Sequence, residues 1–383
     1  MRIIAVGGGS GGHVTPVVAV LREIRRTHPG AQIQFWCDKK FAKQAKDIMG
    51  NFDNTIPIKK IFAGKLRRYS HLSAIRHLMW PSLVLKNIGD IFLVVLGFFQ
   101  STYKLIVWRP DVIFTKGGYV CLPVGIAAHM LRIPIVVHDS DAHPGLTNRI
   151  ISKWASKIAT GAPLKYYPYP VEKSHYVGIP IASEFHNFTE SERRLAKQKW
   201  GIKESRPLIV VTGGGLGATR INNAVLLVLD DLLKIGSLVL ISGKGQYEEL
   251  KTRTPMNDDS FQLHSFISTD MALLLGASDV VIARAGATTI LELASLSKPT
   301  ILVPNAQLTG GHQIKNATVY QKEGAVVIVD ENEMVNDPRI LVSTVSSLLS
   351  DSSKTNIMTK KFSSFARPNA AKDVAEMIIS CVK

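Results

Sequence analysis

Cysteine is scarce. The chain has three in 383 residues (Cys37, Cys121 and Cys381), odd in number and far apart. That excludes a disulfide framework and a zinc knuckle, and it fits a reducing compartment. Acidic residues are outnumbered, 30 Asp and Glu against 46 Lys and Arg, which gives a formal net charge of +16. No helix-turn-helix, zinc-finger or RNA-binding signature accompanies this surplus, so nucleic acid is not the expected partner. An apolar strand is expected to begin within two residues of Met1, so no signal peptide is expected there. What remains is ordinary core material, 46% hydrophobic and 20% charged. At this length two domains are expected.

Two glycine-rich loops dominate what is present. Arg2–Val6 runs into Gly7-Gly8-Gly9-Ser10-Gly11-Gly12-His13, and Leu208–Thr212 runs into Gly213-Gly214-Gly215-Leu216-Gly217-Ala218. In each, an apolar strand stops at glycines that permit a tight turn and bring bare N–H groups to a helix start. Such a terminus attracts phosphate, because its first N–H groups lack partners and its dipole end is positive. Further apolar strands near 33–37, 112–115, 135–138 and 157–159 alternate with helical segments. So do strands near 237–241, 262–266, 280–283, 300–303 and 325–329. That alternation predicts parallel sheets with right-handed crossovers, in two successive Rossmann-like halves. A dinucleotide enzyme is one reading: Gly7, Gly9 and Gly12 satisfy G-x-G-x-x-G, and Asp38 ends the second strand where a ribose-binding acid belongs. It leaves the second loop without a purpose.

The charge is unevenly placed. Residues 58–107 carry Lys59, Lys60, Lys65, Arg67, Arg68, Arg76, Lys86 and Lys104 against a single acid, Asp90. Trp80 and the run Ile91–Phe99 share the stretch, and Lys86 and Asp90 interrupt any longer apolar run. A spanning helix needs roughly 20 apolar residues. Basic residues mixed with Trp, Phe and Leu therefore predict a surface lying on anionic lipid, with a buried helix pair as the alternative.

In order along the chain, Gly8 to Pro16, Gly117-Gly118-Tyr119 with Pro123, His138 through Asn148, Gly213 to Asn222, Arg284 to Ala294 and His312 to Ala317 form a recognisable set. Together they resemble the bacterial transferases that add N-acetylglucosamine to the lipid-linked muramyl-pentapeptide precursor. The resemblance implies an α/β GT-B fold, two Rossmann-like domains with parallel sheets facing across a cleft. It also implies inverting transfer from UDP-N-acetylglucosamine to lipid I, giving lipid II for peptidoglycan. The enzyme would be peripheral, on the cytoplasmic face of the cell membrane, with no cofactor and no metal. The expected divisions are 1–165 for the acceptor and membrane domain, 166–187 for a linker, 188–360 for the donor domain and 361–383 for a C-terminal helix. Related GT-B transferases, nucleotide-sugar epimerases and a non-catalytic membrane adaptor are the alternatives.

By the same resemblance, His13 is the general base that deprotonates the acceptor hydroxyl. Ser10, Gly11, Gly12, Asp141, Gly215, Ile267, Ala287, Thr288, Thr289, Glu292 and Gln313 bind the donor, Glu292 through the ribose hydroxyls. Gly9, Tyr119 and His138 lie on the acceptor side. Three positions depart from the family pattern: Asp141 replaces an asparagine, Gly215 a serine, and Ala182 stands where a phosphate-facing arginine is usual. Arg220 and Arg284 are candidates to replace that cation. Asp139 and Asp141 form an Asp-x-Asp pair that invites a metal reading, but the enzymes that use it have another fold.

Overall fold

The computed structural model describes residues 1–8, 14–65, 81–215, 217–267, 269–305 and 311–382. The chain forms two compact units, 1–182 with 367–383, and 183–366. In the first, β1 (Arg2–Val6), β2 (Gln32–Cys37), β3 (Ile58–Lys60), β4 (Val112–Thr115), β5 (Ile135–Asp139), β6 (Lys157–Thr160) and β7 (Ser174–Tyr176) make one parallel sheet in the order β3-β2-β1-β4-β5-β6-β7. In the second, β8 (Leu208–Thr212), β9 (Ser237–Ile241), β10 (Phe261–His264), β11 (Val280–Ala283), β12 (Thr300–Leu302) and β13 (Val327–Ile328) run β10-β9-β8-β11-β12-β13. Each order reverses once, between β1 and β4 and between β8 and β11. Open parallel sheets bind ligands at the carboxyl ends beside such a reversal.

Both sheets are covered on their two faces, so their central strands read as continuous apolar runs. β1 buries Ile3 to Val6 and β8 buries Leu208 to Val211. The terminal helix Ala370–Ile379 packs on the first unit's helix Thr15–Thr27, adding Val374, Met377 and Ile378 to that core.

Two segments differ from expectation. The stretch expected as a linker, 166–187, carries β7, which pairs in parallel with β6. Its aromatic residues are fastened down: Tyr167 and Tyr169 are buried and stacked, with ring centroids 5.5 Å apart. The proline-rich composition hid a short edge strand, where prolines flanking rather than interrupting the strand are tolerated.

The apolar run at 91–99 belongs to a much longer helix, Pro81–Trp108, long and apolar enough by length and composition to cross a membrane. It instead lies along the first unit, packed on the helix Cys121–Met130. Leu83, Asp90, Gly97, Ser101 and Leu105 form its buried seam. Small residues let the backbones approach, since a Cβ on Gly97 would collide with the carbonyl of Phe62. The seam spacing of seven and four residues keeps the contacts on one side of the helix. Leu85, Ile88, Phe92, Val95, Phe99, Tyr103 and Ile106 follow the opposite stripe and are exposed, Phe92 and Phe99 by 61% and 63%.

Candidate active site

At the second sheet's reversal, β8 ends in the loop 213–218, which opens the helix Thr219–Leu227. Glycine is required at two of its positions. A Cβ on Gly213 would collide with the Ala218 backbone, and one on Gly217, where φ is +77°, with the carbonyl of Ser242. Gly215 is exposed, and a Cβ there would meet nothing within 4 Å. A serine would fit, so this departure from the family pattern is chemical and not steric.

Across the reversal, β11 leads through Arg284-Ala285-Gly286 into the helix Ala287–Ser295. Gly286 caps it in extended conformation with no side-chain hydrogen bond. The N–H groups of Ala287, Thr288 and Thr289 thus begin a helix without a capping side chain, an arrangement suited to phosphate. Glu292 follows within two turns. It keeps part of its surface accessible, yet protein crowds its carboxyl enough that desolvation pushes its pKa up to about 7. Among the described residues its carboxyl has no ion pair. Ile267 is half-buried just beyond β10. Gln313 starts the helix His312–Lys322, and its Oε1 accepts the N–H of Asn305 at 2.8 Å, which holds the side chain beyond the end of β12.

The two proposed replacement arginines are engaged elsewhere. Arg284 donates to Val303 O at 3.0 Å and to the buried Glu331. Arg220 lies 3.3 Å from the other oxygen of Glu331. The two guanidiniums share the one buried carboxylate of Glu331, which holds Arg284 inside the unit, while Arg220 stays partly exposed and the trio keeps a net positive charge.

In the first unit, Gly9, Ser10, Gly11, Gly12 and His13 lie outside the described residues, as do Arg67, Arg68, Arg76 and Trp80. The described flank of the loop is tightly built. A Cβ on Gly8 would come within 2.7 Å of Asp38 Oδ2. Asp38 Oδ1 accepts N–H groups from Lys40 at 3.0 Å and Phe41 at 3.1 Å, which anchors the turn after β2. Tyr119 is half-buried after β4, and burial, then the neighbouring Asp38, raises its pKa.

His138, expected on the acceptor side, is instead fully buried at the end of β5. Its Nε2–H donates to Gly178 O at 2.8 Å, and burial together with the nearby Lys116 holds its pKa well below the ordinary value. It is a neutral structural joint between β5 and the segment after β7. Asp141, two residues past β5, is only partly buried. Asp139 is buried and accepts the Tyr169 hydroxyl at 2.6 Å, so it is occupied as a hydrogen-bond acceptor. Among the described residues, no three His, Cys, Asp or Glu side chains gather as a metal site.

Sequence reasoning passed over Lys116, buried at the end of β4 with its ammonium donating to Ser140 Oγ. The signal was present: a lone charge between the apolar strand Val112–Thr115 and two glycines.

Comparison with known proteins decides the family. Residues 3–160 match the glycosyltransferase family 28 N-terminal domain, and residues 208–374 match its C-terminal domain. The chain belongs to glycosyltransferase family 28. A Clostridium kluyveri relative, a UDP-N-acetylglucosamine--N-acetylmuramyl-(pentapeptide) pyrophosphoryl-undecaprenol N-acetylglucosamine transferase, is 32% identical over 100% of this chain and 99% of its own. A Listeria welshimeri relative with the same description is 33% identical over the full length of both. Among solved structures, the Acinetobacter baumannii MurG matches with a TM-score of 0.73, 23% identity and 99% coverage of each chain. A UDP-GlcNAc 2-epimerase from Neisseria meningitidis matches with a TM-score of 0.66 at 13% identity, covering 99% of this chain and 100% of its own. This family 28 chain has the GT-B fold: two Rossmann-like units, each a parallel sheet.

Proposed function

We propose that this family 28 chain transfers N-acetylglucosamine from UDP-N-acetylglucosamine to lipid I, with inversion at the anomeric carbon, to give lipid II. Full-length similarity to relatives described as that transferase carries the reading. The second unit's chemistry agrees with it. A glycine loop and the open start of the helix Ala287–Ser295 suit a pyrophosphate, and Glu292 suits the ribose hydroxyls. Binding of the anion stabilises the departing UDP, because these donors are oriented before charge develops. Ile267 contacts uracil through its backbone, and Gln313, with Asp141, binds the sugar. His13 takes the proton of the attacking hydroxyl, with Ser10, Gly11 and Gly12 at the phosphate and Gly9 and Tyr119 toward the acceptor.

The long helix Pro81–Trp108 supports a peripheral location on anionic membrane at the cytoplasmic face. Its docked seam leaves an apolar stripe outward, and Lys86 and Lys104 lie on the same helix. Lys104 also donates to Lys60 O at 2.8 Å, which ties it to the basic strand β3. An apolar stripe edged with cations sinks to headgroup depth and draws anionic lipid. Incubating the full chain with labelled UDP-N-acetylglucosamine and a lipid I analogue tests the function. The expected product is heavier by one N-acetylhexosamine, with activity unaffected by EDTA. Turnover confined to another UDP-sugar, or epimerisation of the donor alone, would replace this reading with one of its relatives.

A further inference from the structure

The first unit buries a charge to which the reaction above gives no task. Lys116 is 1% exposed, and its Nζ donates to Ser140 Oγ, joining the end of β4 to the turn after β5. An ammonium is costly to bury unless carboxylates answer it. Burial pulls its pKa down to about 8, while Asp139 and Asp141 oppose that pull. Asp139 is held from its other side by Tyr169 and Asn148, and burial still pushes it up to about 6. Gly117 admits Asn148, whose Nδ2 would lie 3.1 Å from a Cβ there. Of the two carboxylates around Lys116, Asp141 is the one that keeps a surface.

We propose that Lys116 is a positioning residue: its bridge from β4 to Ser140 fixes the turn after β5 and presents the Asp141 carboxylate in one orientation to the hydroxyls of the donor sugar. This rests on reading Asp141 as a sugar-contacting residue. The groups facing Lys116 are Asp139, Asp141 and His138 from β5 and its turn, and Cys121 from the following helix. Tyr169, Tyr167 and Arg149 stand behind Asp139.

A double-mutant cycle on the full chain tests it, with Lys116→Met, Asp141→Ala and the pair, reading KM for UDP-N-acetylglucosamine and kcat. Lys116→Met should raise KM roughly tenfold in the parent and less than about twofold in the Asp141→Ala background, since coupled residues are non-additive. An equal effect in both backgrounds, or a silent Lys116→Met, overturns the proposal while leaving Asp141 in the site. A silent Asp141→Ala removes Asp141 from the site and the proposal with it. Should Lys116→Met not fold, Ser140→Ala replaces it in the cycle. A KM rise of about twofold or more, absent with Asp141→Ala, supports the bridge, and no rise refutes it.

Discussion

The two units share a topology and diverge at the same place in it. At the β8/β11 reversal the chain presents glycines, small residues and an uncapped helix start, and Glu292 is the acid there. At the β1/β4 reversal it presents a buried cluster of Lys116, Asp139 and Tyr169 with Asp141 at its edge, and the same unit carries the exposed apolar helix. Backbone amides suit a ligand with fixed charge and little shape, such as a nucleotide pyrophosphate. Placed side chains suit selective contact with a sugar. Topology supplies two equivalent crevices; on the proposed reading UDP rests mainly on the second, and the first adds phosphate, sugar and acceptor contacts.

The largest expected effect lies in the first unit. His13→Ala should keep UDP affinity and lower turnover by ~10²–10⁴-fold, the usual range for a positioned base. Saturating kinetics showing a loss below tenfold would take the proton transfer away from this residue.

Next comes Glu292 in the second unit. Glu292→Ala should weaken UDP binding by roughly 10–100-fold in calorimetry, the loss of charge-assisted hydrogen bonds to two hydroxyls. Because its folded pKa is raised to about 7, native protein binds more protons than unfolded chain between the two values. The stability this gives is complete below the unfolded pKa and is lost as pH rises through about 7. Glu292→Gln should therefore melt with the parent near pH 4 and be more stable by about 1–3 kcal/mol at pH 8. UDP affinity of the parent should also fall as pH drops through 7. Coincident melting curves at both pH values would mean that the carboxyl is not desolvated.

A smaller change is expected at the membrane. Replacing Phe92 and Phe99 with serine should cut vesicle binding about tenfold and leave UDP affinity alone, since each exposed ring loses roughly 0.7 kcal/mol of partial apolar burial. Replacing Lys59, Lys60 and Lys65 with glutamine should weaken binding at low salt and matter little at high salt. Co-sedimentation unchanged by either set would separate the helix from lipid.

The smallest effect is a gain. Gly215→Ser should fold like the parent, because nothing stands within 4 Å of its Cβ, and should tighten UDP binding by up to about tenfold. Weaker binding would mean that the loop needs the bare backbone at this position.

Much of the fold was legible because buried parallel strands announce themselves as apolar runs between glycine turns. Both reversals were marked by their glycine loops. The edge strands β3 and β7 escaped, being three residues long and polar on one face, so no periodicity develops. Pro81–Trp108 escaped for a different reason. Lys86 and Asp90 look like interruptions in a one-dimensional reading, yet Asp90 joins the docked seam. For the site, residue types read correctly where the backbone dictates them, as at Gly213 and Gly217. Burial cannot be read from a His-x-Ser pattern, so nothing in the sequence separates His138, an acceptor-side candidate, from the buried histidine that it is. Long-range pairing misled as well: nothing near Arg284 in sequence points to Glu331.

The division of labour between the two reversals is tested most directly by hydrogen–deuterium exchange of the full chain with and without saturating UDP. The account predicts slowed exchange at 213–219 and 285–293, with 112–119 and 137–141 unchanged. Protection confined to the first unit's segments, with the second unit's loops exchanging as before, would contradict it.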